Sequence, residues 1–228
     1  MGEYPVGWYP PRPVPWGSAL PLDATAALVG GYRWIEQALF VLLGSWVTEA
    51  TVPEVQVHLD AQSARHAWHA ELWAERLPVR DGADPDSLSV APSPVDEVLT
   101  ALAGHDGADH VGDSAWSVSD GGEGDGPGVL PRLAGLYRVV LPRLVVTYQR
   151  HLGMTSSITD GPLIRALRLV LADEIEDWHA GELLLQRLVT RVDDVAAVHA
   201  VHQHLEMLVV GSGVVTGLVN LPGIVRPG

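Results

Sequence analysis

Apolar residues recur at helical spacing along most of this chain, and the runs they form are long. From Asp23 to Ala50 the sequence is apolar and almost free of charge in its middle, which predicts a helix over 23–50 buried on most of its sides. Thr51-Val-Pro-Glu54 reads as a capping box with Pro53 in the first turn, opening a second helix over 52–77 that stops at Pro78. So short a link makes these helices antiparallel neighbours. A third helix is predicted over 130–152, kinked at Pro142. A fourth runs over 160–190 from an Asp160 cap with Pro162 in its first turn, and a fifth over 193–210.

The breaks between these runs carry their own pattern. Residues 1–22 hold six prolines with Trp8, Tyr9 and Trp16, an extended arm whose aromatics could pack on the helices. Residues 78–127 form a long acidic, Gly-rich connection interrupted by one short helix over 95–103. A link of that length is uncommon inside a compact domain. The tail 211–228 reads as an irregular strap. The chain is therefore expected to be all-α, with one domain over 23–210.

Composition narrows the function. The net charge is −14, all 14 basic residues are Arg, and no basic cluster is present, which argues against nucleic acid and anionic membranes as partners. No cysteine occurs, so disulfides, thiolate ligands and Cys nucleophiles are excluded. The first 21 residues lack the basic and apolar segments of a signal peptide, and Gly, Pro or charge cuts each long apolar run. A soluble, cytoplasmic protein without a membrane span is expected, and a homo-oligomer is compatible with it.

Two segments of the chain match. Residues 68–77 read Trp-His-Ala-Glu-Leu-Trp-Ala-Glu-Arg-Leu, and residues 178–188 read Trp-His-Ala-Gly-Glu-Leu-Leu-Leu-Gln-Arg-Leu, with Gly181 inserted. Tyr32-Arg33 ahead of Glu36 is matched more weakly by Tyr137-Arg138 ahead of Leu141. The pattern is that of a duplicated helix hairpin. It also predicts a π-type bulge near His179 to Glu182, where the extra residue must be absorbed. Glu176-Asp-Trp-His179 places a carboxylate and an imidazole three apart, on one helix face. Glu36 stands alone in an apolar stretch, where an ionised carboxylate is costly unless paired, protonated or bound to a cation.

On these residues the chain resembles the ferritin-like proteins of the di-iron carboxylate type. The resemblance implies an antiparallel four-helix bundle with one long crossover, here followed by an extra C-terminal helix. It implies an inward metal site built from Glu36, His66, His69, Glu176 and His179. Two carboxylates of the family pattern are missing: His66 stands where one belongs and Leu141 where the other does. At most one well-bound Fe or Mn ion is therefore expected. Asp173, one turn before Glu176, is a candidate replacement carboxylate, and Tyr32, Tyr148 and Asp173 are candidates for lining a substrate pocket.

His58, Gln62, His66, His69 and Trp73 follow one face of the second helix. His66 and His69 are expected inward, His58 toward solvent. His199, His202 and His204 read as surface residues, and Arg33 and Arg138 as rim ion pairs. Three functions stay open. One is a metal-dependent oxidase or oxygenase acting on a small molecule. Another is a metal-free cyclase, lyase or isomerase using Glu36 and Glu176 as acid and base. The last is a non-catalytic binding or structural protein.

Overall fold

A computed structural model describes residues 20–79, 84–104, 129–214 and 216–221. The arm over 1–19, most of the crossover and the end of the tail lie outside these residues. Helix α1 spans Leu22–Glu49, α2 Pro53–Ala74, α3 Val95–Ala103, α4 Val129–Gly135, α5 Leu141–Gly153, α6 Gly161–Leu188 and α7 Val192–Gly211. A 3-10 turn, Pro85–Leu88, precedes α3. No strand occurs among the described residues, so they are all-α.

The expected caps are used differently. Val52 is the N-cap of α2 and makes no side-chain capping bond, so Pro53 alone sets the start. α1 begins at Leu22 behind Pro21, and at Asp160 the side chain accepts from Ser156 N–H, closing the preceding turn rather than capping α6.

The π distortion also falls elsewhere. α6 is regular α-helix through 161–188, whereas a π turn, Leu136–Val140, joins α4 to α5. The reason lies in Pro142, which has no N–H for the carbonyl four residues back and whose ring crowds it. Widening the preceding turn lets Leu141 N–H reach Leu136 O. α4, the π turn and α5 thus run on as one rod. Gly181 is an approach point rather than an insertion: the Tyr137 ring lies where a Cβ on Gly181 would stand.

α1 and α2 form a tightly packed hairpin, and α5 and α6 form another. α6 also packs on α2 and α4, while α7 lies along α3 and α4. Each rod faces the shared interior with an apolar stripe: Leu28, Tyr32, Ile35, Leu39, Leu43 and Trp46 on α1, and Leu163, Leu167, Val170, Gly181 and Leu185 on α6. The tail crosses α5, where Thr147 Oγ1 accepts from Leu218 N–H and Arg143 donates to Gly217 O. Arg33 pairs with Asp86, and Arg138 grips Glu182 with two bonds at 3.0 and 3.1 Å. One expectation needs amending. α1 is long and apolar enough to cross a membrane by length and composition, although 56% of its apolar window is buried in the fold, as in a core helix.

Candidate metal centre

Helix periodicity brings charged residues into this interior. On α1 the stripe passes through Glu36; on α2 it passes through Gln62, His66, His69 and Trp73; on α6 it passes through Glu174 and Asp177. All of these are buried, Glu36, His69 and Glu174 completely. Glu36, His66, His69 and Glu174 converge, with one donor atom from each lying within 4.8 Å of the others.

Their contacts close a ring. Glu36 Oε2 is 2.6 Å from His66 Nδ1, which is 3.4 Å from Glu174 Oε1. Glu174 Oε1 is 3.2 Å from His69 Nδ1, which is 3.5 Å from Glu36 Oε2. Edges averaging about 3.2 Å put the corners of a square about 2.2 Å from its centre, the length of a bond from nitrogen or oxygen to a divalent transition ion.

Hydrogen bonding decides how these contacts are read. His69 Nδ1 and both oxygens of Glu174 are buried and have no hydrogen-bond partner, although they lie at ion-pair distance. Glu174 Oε1 and His69 Nδ1 thus face each other across the ring at ion-pair distance without a formed hydrogen bond. Outside the ring, His69 Nε2 lies 3.2 Å from Asp173 Oδ2, a contact that keeps a proton on Nε2 and presents Nδ1 inward. Tyr148 Oη donates to Glu36 Oε1 at 2.5 Å and leaves Oε2 facing the ring.

The electrostatics follow from burial. Burial alone would raise the Glu36 carboxyl, but His69 and His66 outweigh it and hold Glu36 well below the usual carboxylate range. Burial likewise opposes charge on His69, and Glu36, Asp173 and Glu174 outweigh it, taking the imidazole up to about 12. Glu174 is pushed up, chiefly by burial. The Tyr148 hydroxyl is driven well above its ordinary range by burial and then by Glu36. Two carboxylates and two neutral imidazoles would balance one divalent charge, and the chemistry of the set fits such an ion.

Of the residues expected from the sequence, Glu36, His66 and His69 meet here, with Tyr148 and Asp173 against them. Tyr32 is fully buried and stacks edge-on against Tyr148 at 4.8 Å between ring centroids. Glu176 and His179 are not brought in: both side chains are exposed. Two residues around a helix turn the side chain by about 200°, so Glu174 takes the inward position and Glu176 the outward one. Asp177 occupies the place three residues on where His179 was expected, and it pairs with Arg65. The Trp-His identity thus matches a buried His69 with an exposed His179, which are not equivalent places. His58 also departs from expectation, being half-buried with its ring 5.8 Å from Tyr137.

Comparison with known proteins returns no match: no protein-family profile, no curated protein and no solved structure is similar to this chain.

Proposed function

We propose that this chain is a ferritin-like bundle that holds one Fe or Mn ion on Glu36, His66, His69 and Glu174 and uses it to oxidise a small molecule. The observation that carries the reading is the ring of four buried donor atoms, two of which, His69 Nδ1 and Glu174 Oε1, have no hydrogen-bond partner. A buried carboxylate that accepts no hydrogen bond is costly, and a cation removes that cost. An ion of this kind, when bound, supplies redox chemistry with dioxygen. The chain supplies the rest. Asp173 fixes the tautomer of His69, Tyr148 orients Glu36, and the apolar rods keep bulk water away. Four rods around one interior and a long link between α2 and α4 support the ferritin-like assignment.

A second reading is a metal-free acid–base enzyme on the same scaffold. One observation favours it: Tyr148, Glu36 and His66 form a continuous buried chain with contacts of 2.5 and 2.6 Å. One experiment separates the two. Protein purified without a metal-affinity tag is assayed for metal, then loaded anaerobically with Fe(II) and exposed to air while dioxygen uptake is followed. The metal reading expects one ion per chain and dioxygen consumption, both lost in His69→Ala. Absence of stoichiometric metal would sink it in favour of the acid–base reading, and two tightly bound ions would refute the single-ion assignment.

A further inference from the structure

The centre is sealed. Its ligands are at most 1% exposed, so an ion that binds there needs a polar way in. Asp173, whose side chain is 31% exposed, reaches His69 Nε2 on the side of that imidazole turned away from the centre, and the apolar stripes of the rods offer no way in. The α2 stripe does, because it stays polar beyond the ligands: Gln62 lies one turn before His66, and His58 one turn before Gln62.

Around these two residues the interior holds a second set of polar groups. Gln62 Oε1 accepts from Tyr137 Oη at 2.7 Å, while Gln62 Nε2 is buried without a partner. Asp177, on the facing helix α6, pairs through Oδ1 with Arg65, and its Oδ2 is buried without a partner. His58 Nε2 is in the same condition. Tyr137 joins two of these groups, its hydroxyl on Gln62 and its ring 5.8 Å from that of His58, and Asp177 reaches α2 through Arg65, three residues after Gln62. Gln62 is 1% exposed and Asp177 5%, whereas the Arg65 side chain is 31% exposed. The polar groups therefore run from the surface at Arg65 and His58, past Asp177 and Gln62, to His66.

We propose that Asp177, Gln62 and His58 form a transit site for a hydrated divalent cation on its way to the buried centre, closed by Arg65. The proposal rests on the metal reading above. Asp177 Oδ2 and the carbonyl oxygen of Gln62 are hard donors and His58 Nε2 a borderline one, and together they replace part of the ion's water shell. Gln62 Nε2 donates to water that the ion retains. Arg65 holds Asp177 while no ion passes, and its guanidinium repels cations from the mouth. For the ion to enter, Asp177 exchanges Arg65 for the cation.

The test follows Co(II) uptake by metal-free, full-length protein in a stopped-flow instrument, reading the visible absorption of the bound ion, with final uptake measured separately. Arg65→Ala should load about tenfold faster, and Asp177→Asn about tenfold slower, because a local charge focuses or repels an approaching ion. Both should reach the same final uptake as wild type. Arg138→Ala, which breaks an ion pair elsewhere on the bundle, should load at the wild-type rate. Opposite changes in rate at equal end points do not arise from general destabilisation. Wild-type uptake with both variants inside a twofold range of its rate would overturn the route and leave the centre standing. No uptake by wild-type protein would overturn both.

Discussion

Glu174 and Glu176 are two residues apart, and the structure gives them opposite fates, so substituting each to Gln tests the centre directly. Suppose a divalent ion is present at a hundredfold excess over its dissociation constant. Binding then stabilises the fold by about 2.7 kcal/mol. For a chain of this size that raises the melting temperature by about 5–10 °C. Glu174→Gln removes one of two carboxylate charges. With the ion no farther from Glu174 Oε1 than the 3.2 Å to His69 Nδ1, one unit charge is worth at least about 5 kcal/mol at an effective dielectric near 20. Even half of that weakens binding close to a hundredfold. The stabilisation then falls to about 0.4 kcal/mol, a shift of roughly 1 °C. Glu176 is exposed and touches no ligand of the ring, so Glu176→Gln should keep the full shift. Differential scanning calorimetry with and without Mn(II) measures both. A normal shift in Glu174→Gln together with a lost shift in Glu176→Gln would refute the placement.

Gly181→Ala should destabilise the fold by about 1–3 kcal/mol despite the better helix propensity of alanine, because the new methyl overlaps the Tyr137 ring; chemical denaturation with unchanged slope checks this. His151, buried and lowered to about 4 by desolvation, is protonated more readily when unfolded, so its contribution is complete above about pH 6.5 and lost as pH falls toward 4. Urea midpoints from pH 7 to 4 should therefore show up to about 3 kcal/mol less pH-dependent loss in His151→Phe than in wild type, and parallel profiles would contradict the assignment.

Much of the fold was legible because it follows from periodicity. Helix existence along 22–49, 53–74, 161–188 and 192–211 needs only the apolar spacing and the positions of Pro53, Pro78 and Pro162. What periodicity alone did not locate was the π turn. Its cause, Pro142, was visible, but the sequence offers two remedies, a kink or a widened turn, and the chain adopts the widened turn. Gly181 was misread for a related reason. A glycine inside a helix marks either an irregularity or a close neighbour, and the neighbour, Tyr137, is distant in sequence.

The candidate centre was half legible, and the half that was missed shows which signal outranks which. Glu36 was found as a lone carboxylate on the apolar stripe of α1, and His66 and His69 through the repeat and the family resemblance. On α6 the identity of Trp178-His179 with Trp68-His69 pointed to Glu176 and His179, against the stripe through Leu163, Leu167, Val170, Glu174, Asp177 and Gly181. The stripe is a statement about energy. Burying the face that carries it removes several leucine and valine side chains from water, each worth about 1.5–3 kcal/mol. A two-residue shift in register would expose that face to gain a better-looking motif. A ligand set without its ion adds to that loss, because two buried carboxylates carry a cost of their own until a cation arrives. The inward face of a bundle helix is therefore set by its apolar residues, and the polar residues on that face are the candidates for chemistry. Read in that order, Glu174 and Asp177 were present in the sequence, three residues apart and opposite His66 and His69, without any Glu-x-x-His motif to mark them.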